Sequence, residues 1–240
     1  MKIKILTLFP NMFNGFLSES IIKRSIEKGI VDIEIIDYRQ YSNLKHGNVD
    51  DTPCGGGAGM VIRCDVIDRA IKDNRSEDSY VCLVTPQGEL FNQHMAEELK
   101  EKKEIILICG HYEGFDERCR SYVDRELSIG DFILTGGEIP SMAISDSIIR
   151  LLDSAIKKES SEDDSFSNGL LEYPQYTRPI EYLGQEVPSV LVNGNHKLIR
   201  EYRLKESLRK TYLRRPDLLL NRKLTKEEEK YLNEIREELK

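Results

Sequence analysis

The strongest constraint on the fold is an alternation. Through its first two-thirds the chain switches between short apolar runs and stretches whose apolar residues recur near helical period. Ile3–Phe9, Val31–Tyr38, Tyr80–Thr85 and Glu104–Cys109 read as strands, and Met12–Lys28, Asp65–Asn74 and Asn92–Lys102 read as helices. Strands alternating with helices imply an α/β fold with a parallel or mostly parallel sheet covered on both faces. Gly29 follows the first helix, where a left-handed cap sits. A longer helix is expected from about Pro140 to Ile156, because Met142, Ile144, Ile148, Ile149 and Leu152 form an apolar stripe.

The pattern breaks at Lys157-Lys-Glu-Ser-Ser-Glu-Asp-Asp-Ser165, nine residues without an apolar side chain, which reads as a linker or loop. Beyond it the chain turns basic and helical. Between Lys197 and Lys223 ten Lys and Arg face three acids, in a protein whose net charge is −7. A nucleic-acid role therefore has to rest on this local patch. On a helix from Asn195 to Tyr212, Leu198, Tyr202, Leu208 and Tyr212 share one side, with Arg200, Arg203 and Lys210 opposite. Arg214 and Arg215 follow directly, and the alternative to an RNA-contacting surface is a solvated helix face. Thr225-Lys-Glu-Glu228 is a capping box that opens a last helix.

The 240 residues, 39% of them hydrophobic, are enough for one large domain or two modest ones with a real core. No apolar run reaches the roughly 20 residues of a membrane helix. The N-terminal segment reads as a strand rather than a signal peptide, so a soluble, cytoplasmic protein is expected. The cysteines at 54, 64, 82, 109 and 119 include no C-x-x-C pair, which argues against a disulfide framework or structural zinc. Four scattered histidines form no metal-ligand spacing.

Four segments carry more glycine, proline and buried-type polar residues than plain connectors need: Asp50–Met60, Thr85–Gly88, Cys109–Arg118 and Ser128–Pro140. Each alone is most simply a tight turn. Two of them begin where expected strands end, the edge of an open α/β sheet at which ligands bind, and several together there suggest a pocket. It is not a P-loop, since Gly-x-x-x-x-Gly-Lys-Ser/Thr is absent, and the Gly55–Gly59 run lacks the context of a dinucleotide fingerprint.

Assembled, these segments resemble the bacterial tRNA (guanine-N1)-methyltransferases, which methylate guanosine 37 beside the anticodon. The resemblance runs nearly end to end. It is carried by Leu6-Thr-Leu-Phe-Pro-Asn-Met-Phe13, Gly55-Gly-Gly-Ala-Gly-Met60, Cys109-Gly-His-Tyr-Glu-Gly-Phe-Asp-Glu-Arg118, Ser128-Ile-Gly-Asp131 with Gly136-Gly-Glu138, Asp164-Ser-Phe166, Gly169-Leu-Leu-Glu172, Pro174-Gln-Tyr-Thr-Arg-Pro179, and the tail from His196 to Pro216. It implies a SPOUT-type domain over 1–157, a mostly parallel sheet with a deep trefoil knot. A linker at 158–168 and a small helical tRNA-binding domain at 169–240 follow, in a homodimer with composite active sites.

The resemblance also implies S-adenosylmethionine as methyl donor. Leu83, Thr85, Pro86, Gly110, Tyr112, Glu113, Gly114, Ser128, Ile129, Gly130, Phe132, Leu134, Gly136 and Gly137 are the matching donor-site positions. Asp164 stands at the place of the general base and Arg150 at that of an arginine near the target base. Arg200, Arg203, Lys210, Arg214 and Arg215 are candidate RNA contacts. Family activity is linked to Mg²⁺, with Glu113 as a contributor, although no metal-ligand set is visible. His111 and Phe132 stand where Arg and Tyr are usual, and Thr52 and Cys54 where Arg and Tyr are common.

The chemistry fits these roles. Guanine N1 carries a proton near neutral pH and is a poor nucleophile until a carboxylate takes it. Negative charge then gathers on O6, where a guanidinium can stabilise it. A SPOUT enzyme acting on ribose 2′-OH or rRNA, and a non-catalytic RNA-binding protein, are the competing expectations. The Asp164-Ser-Phe166 segment and basic tail argue against the former, and the presence of Asp164 and Arg150 against the latter.

Overall fold

The computed structural model describes residues 1–156, 164–220 and 222–240. The chain divides into two compact units, Met1–Lys157 and Lys158–Lys240.

The first unit is built on five strands: β1 (Lys2–Thr7), β2 (Asp32–Asp37), β3 (Ser79–Leu90), β4 (Glu104–Cys109) and β5 (Arg125–Ser128). Their spatial order is β2-β1-β4-β3-β5, and every pairing is parallel. The central strands are buried on both faces, so they read as continuous apolar runs. Successive side chains of β4 point to opposite faces. Ile105 and Leu107 join Ile3, Ile5 and Leu127 in one core layer, with Ile22, Met95, Leu99, Ile144 and Ile148 from the covering helices. Ile106 and Ile108 join Leu6, Val81 and Leu83 in the other, under Val66, Ile67 and Ile71. Those helices are α1 (Ser20–Glu27), α2 (Cys64–Asn74), α3 (Gln93–Leu99) and α4 (Glu138–Ile149).

Three departures from the sequence reading have local causes. The expected helix over Met12–Lys28 is a 3-10 turn at Pro10–Phe13, a short helix at Asn14–Ser18 and α1, because Glu19 is extended at φ −128°, ψ 156°. β5 has no clear sequence signal, since Arg-Glu-Leu-Ser offers one aliphatic residue. α4 runs over Glu138–Ile149 rather than Pro140–Ile156. Pro140 sits in its first turn, where a missing N–H costs nothing, and beyond Arg150 the chain turns, with Ser154 at φ 68°.

The second unit packs α5 (His196–Arg214) against α6 (Lys226–Glu238) around Leu170, Leu208, Leu232 and Ile235. Asn195 caps α5 by accepting from the Leu198 N–H. Thr225 and Glu228 satisfy each other's backbone N–H groups at the start of α6. Acids of α6 answer part of the basic stretch: Lys205 pairs with Glu234 and Glu238, and Arg209 with Glu238. Of the expected linker at 158–168, residues 158–163 lie outside the described residues, and 164–168 form turns.

Candidate active site

The parallel sheet places the C-terminal ends of β3, β4 and β5 side by side, and the segment leaving each contributes to one cavity of about 560 Å³. From β3, the register slips between Val84 and Glu89, both opposite Leu127, so residues 85–88 leave the ladder, and 85–87 of them line the cavity. From β4 comes 110–117, and from β5 come 128–130 and 132–137 with Pro140 of α4. All fourteen residues expected at a donor site line this cavity. The Asp50–Met60 segment does not, but it flanks the lining: the Glu113 N–H donates to the Met60 carbonyl at 2.9 Å, and Gly59 lies against the Glu113 side chain.

The wall is closed by backbone approaching backbone. Gly137 donates its N–H to the Gly110 carbonyl at 2.9 Å. A Cβ there would lie 2.7 Å from Cys109 Cα and 2.8 Å from Gly110 N, so only glycine fits. Tyr112, half exposed at the cavity edge, holds φ at 59°, a conformation that a non-glycine residue keeps only when its surroundings impose it.

Several polar groups here lie outside the carried-over donor positions, and Arg120 lies outside the pocket segments as well. Gln87, His111, Asp116 and Arg120 also line the cavity. Hydrogen bonds from the Arg118 side chain hold the Asp116 carboxyl at about 2, outweighing burial, which raises it. Arg120 pairs with Glu117 at 2.8 Å and with Glu126, and donates to Gln87. Glu138, the first residue of α4, is 1% exposed; it accepts from Thr7 Oγ1 at 2.6 Å and bonds His111 Nε2 at 2.7 Å. The available signal was a charged residue directly after Gly136-Gly137, inside an apolar stretch. Cys109 is no nucleophile: it is fully buried, and desolvation pushes its thiol far up.

Arg150 follows α4 outside the cavity lining, donating its backbone N–H to Asp146. Asp164 belongs to the second unit, where its carbonyl accepts from the Ser167 N–H at 3.2 Å. The five candidate RNA contacts also lie there, and they do not form the free helix face that the spacing suggests. Arg203 packs over Tyr173, Lys210 donates to the Glu172 carbonyl, Arg200 pairs with Glu227 and Arg215 with Asp217. Arg200 and Arg203 line a second cavity of about 280 Å³ with Tyr173 and His196. Arg214 is exposed at the end of α5.

Among the described residues no three His, Cys, Asp or Glu side chains converge to hold a metal ion. Nor is any described helix long and apolar enough to cross a membrane.

Comparison with known proteins adds an independent line. The family model for tRNA (guanine-1)-methyltransferase TrmD matches residues 1–221. The chain is 59% identical over 239 residues to a tRNA (guanine-N(1)-)-methyltransferase of Fusobacterium nucleatum, covering 99% of both chains. It is 54% identical over 242 residues to the enzyme of that name from Geobacillus kaustophilus, again covering 99% of both. With the one from Acholeplasma laidlawii it shares 52% over 240 residues, all of this chain and 99% of the relative. A match over nearly the whole length, on a sheet whose strand ends gather the motif residues into one cavity, makes this chain a member of the tRNA (guanine-1)-methyltransferase family.

Proposed function

We propose that the protein transfers a methyl group from S-adenosylmethionine to N1 of guanosine 37 in tRNA, acting as a cytoplasmic homodimer. The observation that carries this reading is the single cavity lined by all fourteen motif positions, at the sheet edge where α/β proteins bind ligands. The cavity suits the donor chemically. Leu83, Pro86, Ile129, Phe132 and Leu134 offer apolar surface for a purine, and the backbone groups of the glycine-rich turns offer polar edges that fix its orientation. When bound, the donor supplies an electrophilic methyl group on a sulfonium.

The chain's own residues supply the rest. Asp164 takes the N1 proton as the nucleophile forms, a step in which a positioned carboxylate contributes about 10²–10⁴-fold. Arg150 holds the charge that gathers on O6. The cavity walls fix the donor while the basic stretch from Lys197 to Lys223 fixes the RNA, so that N1 meets the methyl group in line. In this reading Asp164 and Arg150 of one site come from opposite chains. Support for a covering second copy comes from the large apolar side chains left exposed in the first unit, among them Phe132, Ile133 and Ile139. The deep knot implied by the resemblance belongs to the same proposal, supported by the backbone contact of Gly137 with the chain at Cys109–Gly110.

The test is methylation of an unmodified tRNA transcript by the purified protein with labelled donor, followed by mapping of the product. One methyl group at N1 of guanosine 37 is expected. Methylation of a ribose, or none in a protein that binds both substrates, would overturn the assignment.

A further inference from the structure

Glu138 is a buried carboxylate that the proposed reaction leaves unused. Burial of an ionised carboxylate is unfavourable unless its oxygens are hydrogen-bonded, and an apolar residue would close the same space at less cost. Here both oxygens are engaged, each by a different segment: Oε1 by Thr7 Oγ1 and Oε2 by His111 Nε2. Thr7 ends β1, His111 lies in the cavity-lining turn after β4, and Glu138 opens α4 directly after Gly136 and Gly137 of the cavity wall. The helix N-terminus adds a favourable field for the negative charge.

The His111 ring is fixed on its other sides as well. Phe9 meets it edge-on with centroids 4.7 Å apart, and the Phe9 N–H donates to Thr7 Oγ1 at 2.9 Å. Gly136 lies so close that any Cβ would overlap the imidazole. The ring is thus wedged between β1's exit and the cavity wall, with Glu138 selecting its orientation. Only an Nε2–H can donate to the carboxylate, which both the protonated ring and one neutral tautomer provide.

We propose that Glu138 is a positioning residue for methyl-donor binding, acting through His111 and Thr7 to hold the 110–114 turn and the 136–137 wall in their binding shape before the donor arrives. The inference rests on the donor reading of the cavity. Preorganisation of this kind raises affinity by removing the ordering cost at binding, without a direct contact.

The test is calorimetric titration of S-adenosylmethionine into the full-length protein without RNA, alongside tRNA affinity measured separately. His111→Ala and Glu138→Ala should each weaken donor binding at least tenfold and leave tRNA affinity within twofold. The double variant should lose no more than the worse single one, because His111 acts through its contact with Glu138. His111→Gln, whose amide nitrogen can replace Nε2–H, should recover most of the loss. Thermal melting checks that each variant folds; if Glu138→Ala does not, Thr7→Val and His111→Gln keep the shape and carry the comparison. Additive losses, no loss in a folded variant, or a Gln as weak as the Ala would overturn the proposal. Absence of donor binding in the unaltered protein overturns the donor reading and this proposal with it, whereas normal binding by every variant overturns this proposal alone.

Discussion

The Arg203 guanidinium carbon lies 4.6 Å from the centre of the Tyr173 ring, and its Nε is buried without a hydrogen-bond partner among the described residues. Such a contact is worth about 0.5–2 kcal/mol, and the arginine stem covers apolar surface beside Leu204 in the same cavity. Arg203 is therefore part of the packing of the second unit, whatever it does for RNA.

That dual position separates two variants. Arg214→Ala removes an exposed charge and should weaken tRNA binding, flatten its salt dependence by about 0.7 per lost phosphate contact on a single strand, and leave the melting temperature unchanged. Arg203→Ala should lower both tRNA affinity and melting temperature. Affinity across a salt series, with a melt for each variant, reads this out. An unchanged salt slope in folded Arg214→Ala places the RNA surface elsewhere.

For the chemistry, Asp164→Asn should keep donor affinity and lose methyl transfer by about 10²–10⁴-fold, because an amide cannot take the N1 proton. Single-turnover rates at saturating substrates measure it. Mixing this variant with Arg150→Ala subunits should restore up to half the activity if the two residues of one site come from opposite chains. No recovery after verified subunit exchange would put them in one chain.

Gly137→Ala tests the cavity wall. Its Cβ would sit 2.7 Å from Cys109 Cα, a contact with backbone that no rotamer can relieve. Overpacking of this kind costs about 1–3 kcal/mol. Lower thermal stability and weaker donor binding are expected together, and a variant equal to wild type in both would show that the 109–110 and 137 segments move apart freely.

The parts of this molecule that were legible in sequence are those whose environment is imprinted on neighbouring residues. β1, β3 and β4 show as apolar runs because both faces are covered, and the α6 cap shows because Thr225 and Glu228 are three residues apart. The break at Glu19 shows nothing, since no glycine or proline marks it. Glu138 falls in a pocket segment and a family motif, but its buried pairing is not visible in sequence, because it depends on Thr7, 131 residues away. The inward face of α5 is not legible from spacing for a related reason. Leu198 is exposed while Ser207 and Thr211 are buried, so hydrophobicity alone rotates the inward stripe away from its true side. The donor-site positions come through resemblance to a family pattern; Gln87 falls in one of the glycine-rich pocket segments, whereas Arg120 lies outside them and is reachable only through the folded cavity.

Asp116 gives a pH prediction whose sign is fixed by its surroundings. Its Oδ1 accepts from both the backbone N–H and Nε of Arg118 at 2.9 Å, and Oδ2 from Nη2 at 2.7 Å. These bonds lower its pKa from the ordinary 3.8 to about 2 against the opposing effect of burial. A carboxylate with a lower pKa in the folded state stabilises that state above its unfolded pKa, and the contribution is lost as pH falls through the folded value. Asp116→Asn retains an acceptor for the Arg118 N–H but not the charge. The melting-temperature gap between wild type and this variant, measured without ligand, should stay constant from pH 8 to about 5 and narrow between about 4 and 2. Because the Arg118 side chain is largely exposed, the gap should also shrink in high salt at neutral pH. A gap that holds its size down to pH 2 would mean that the carboxylate gains nothing from Arg118 on folding.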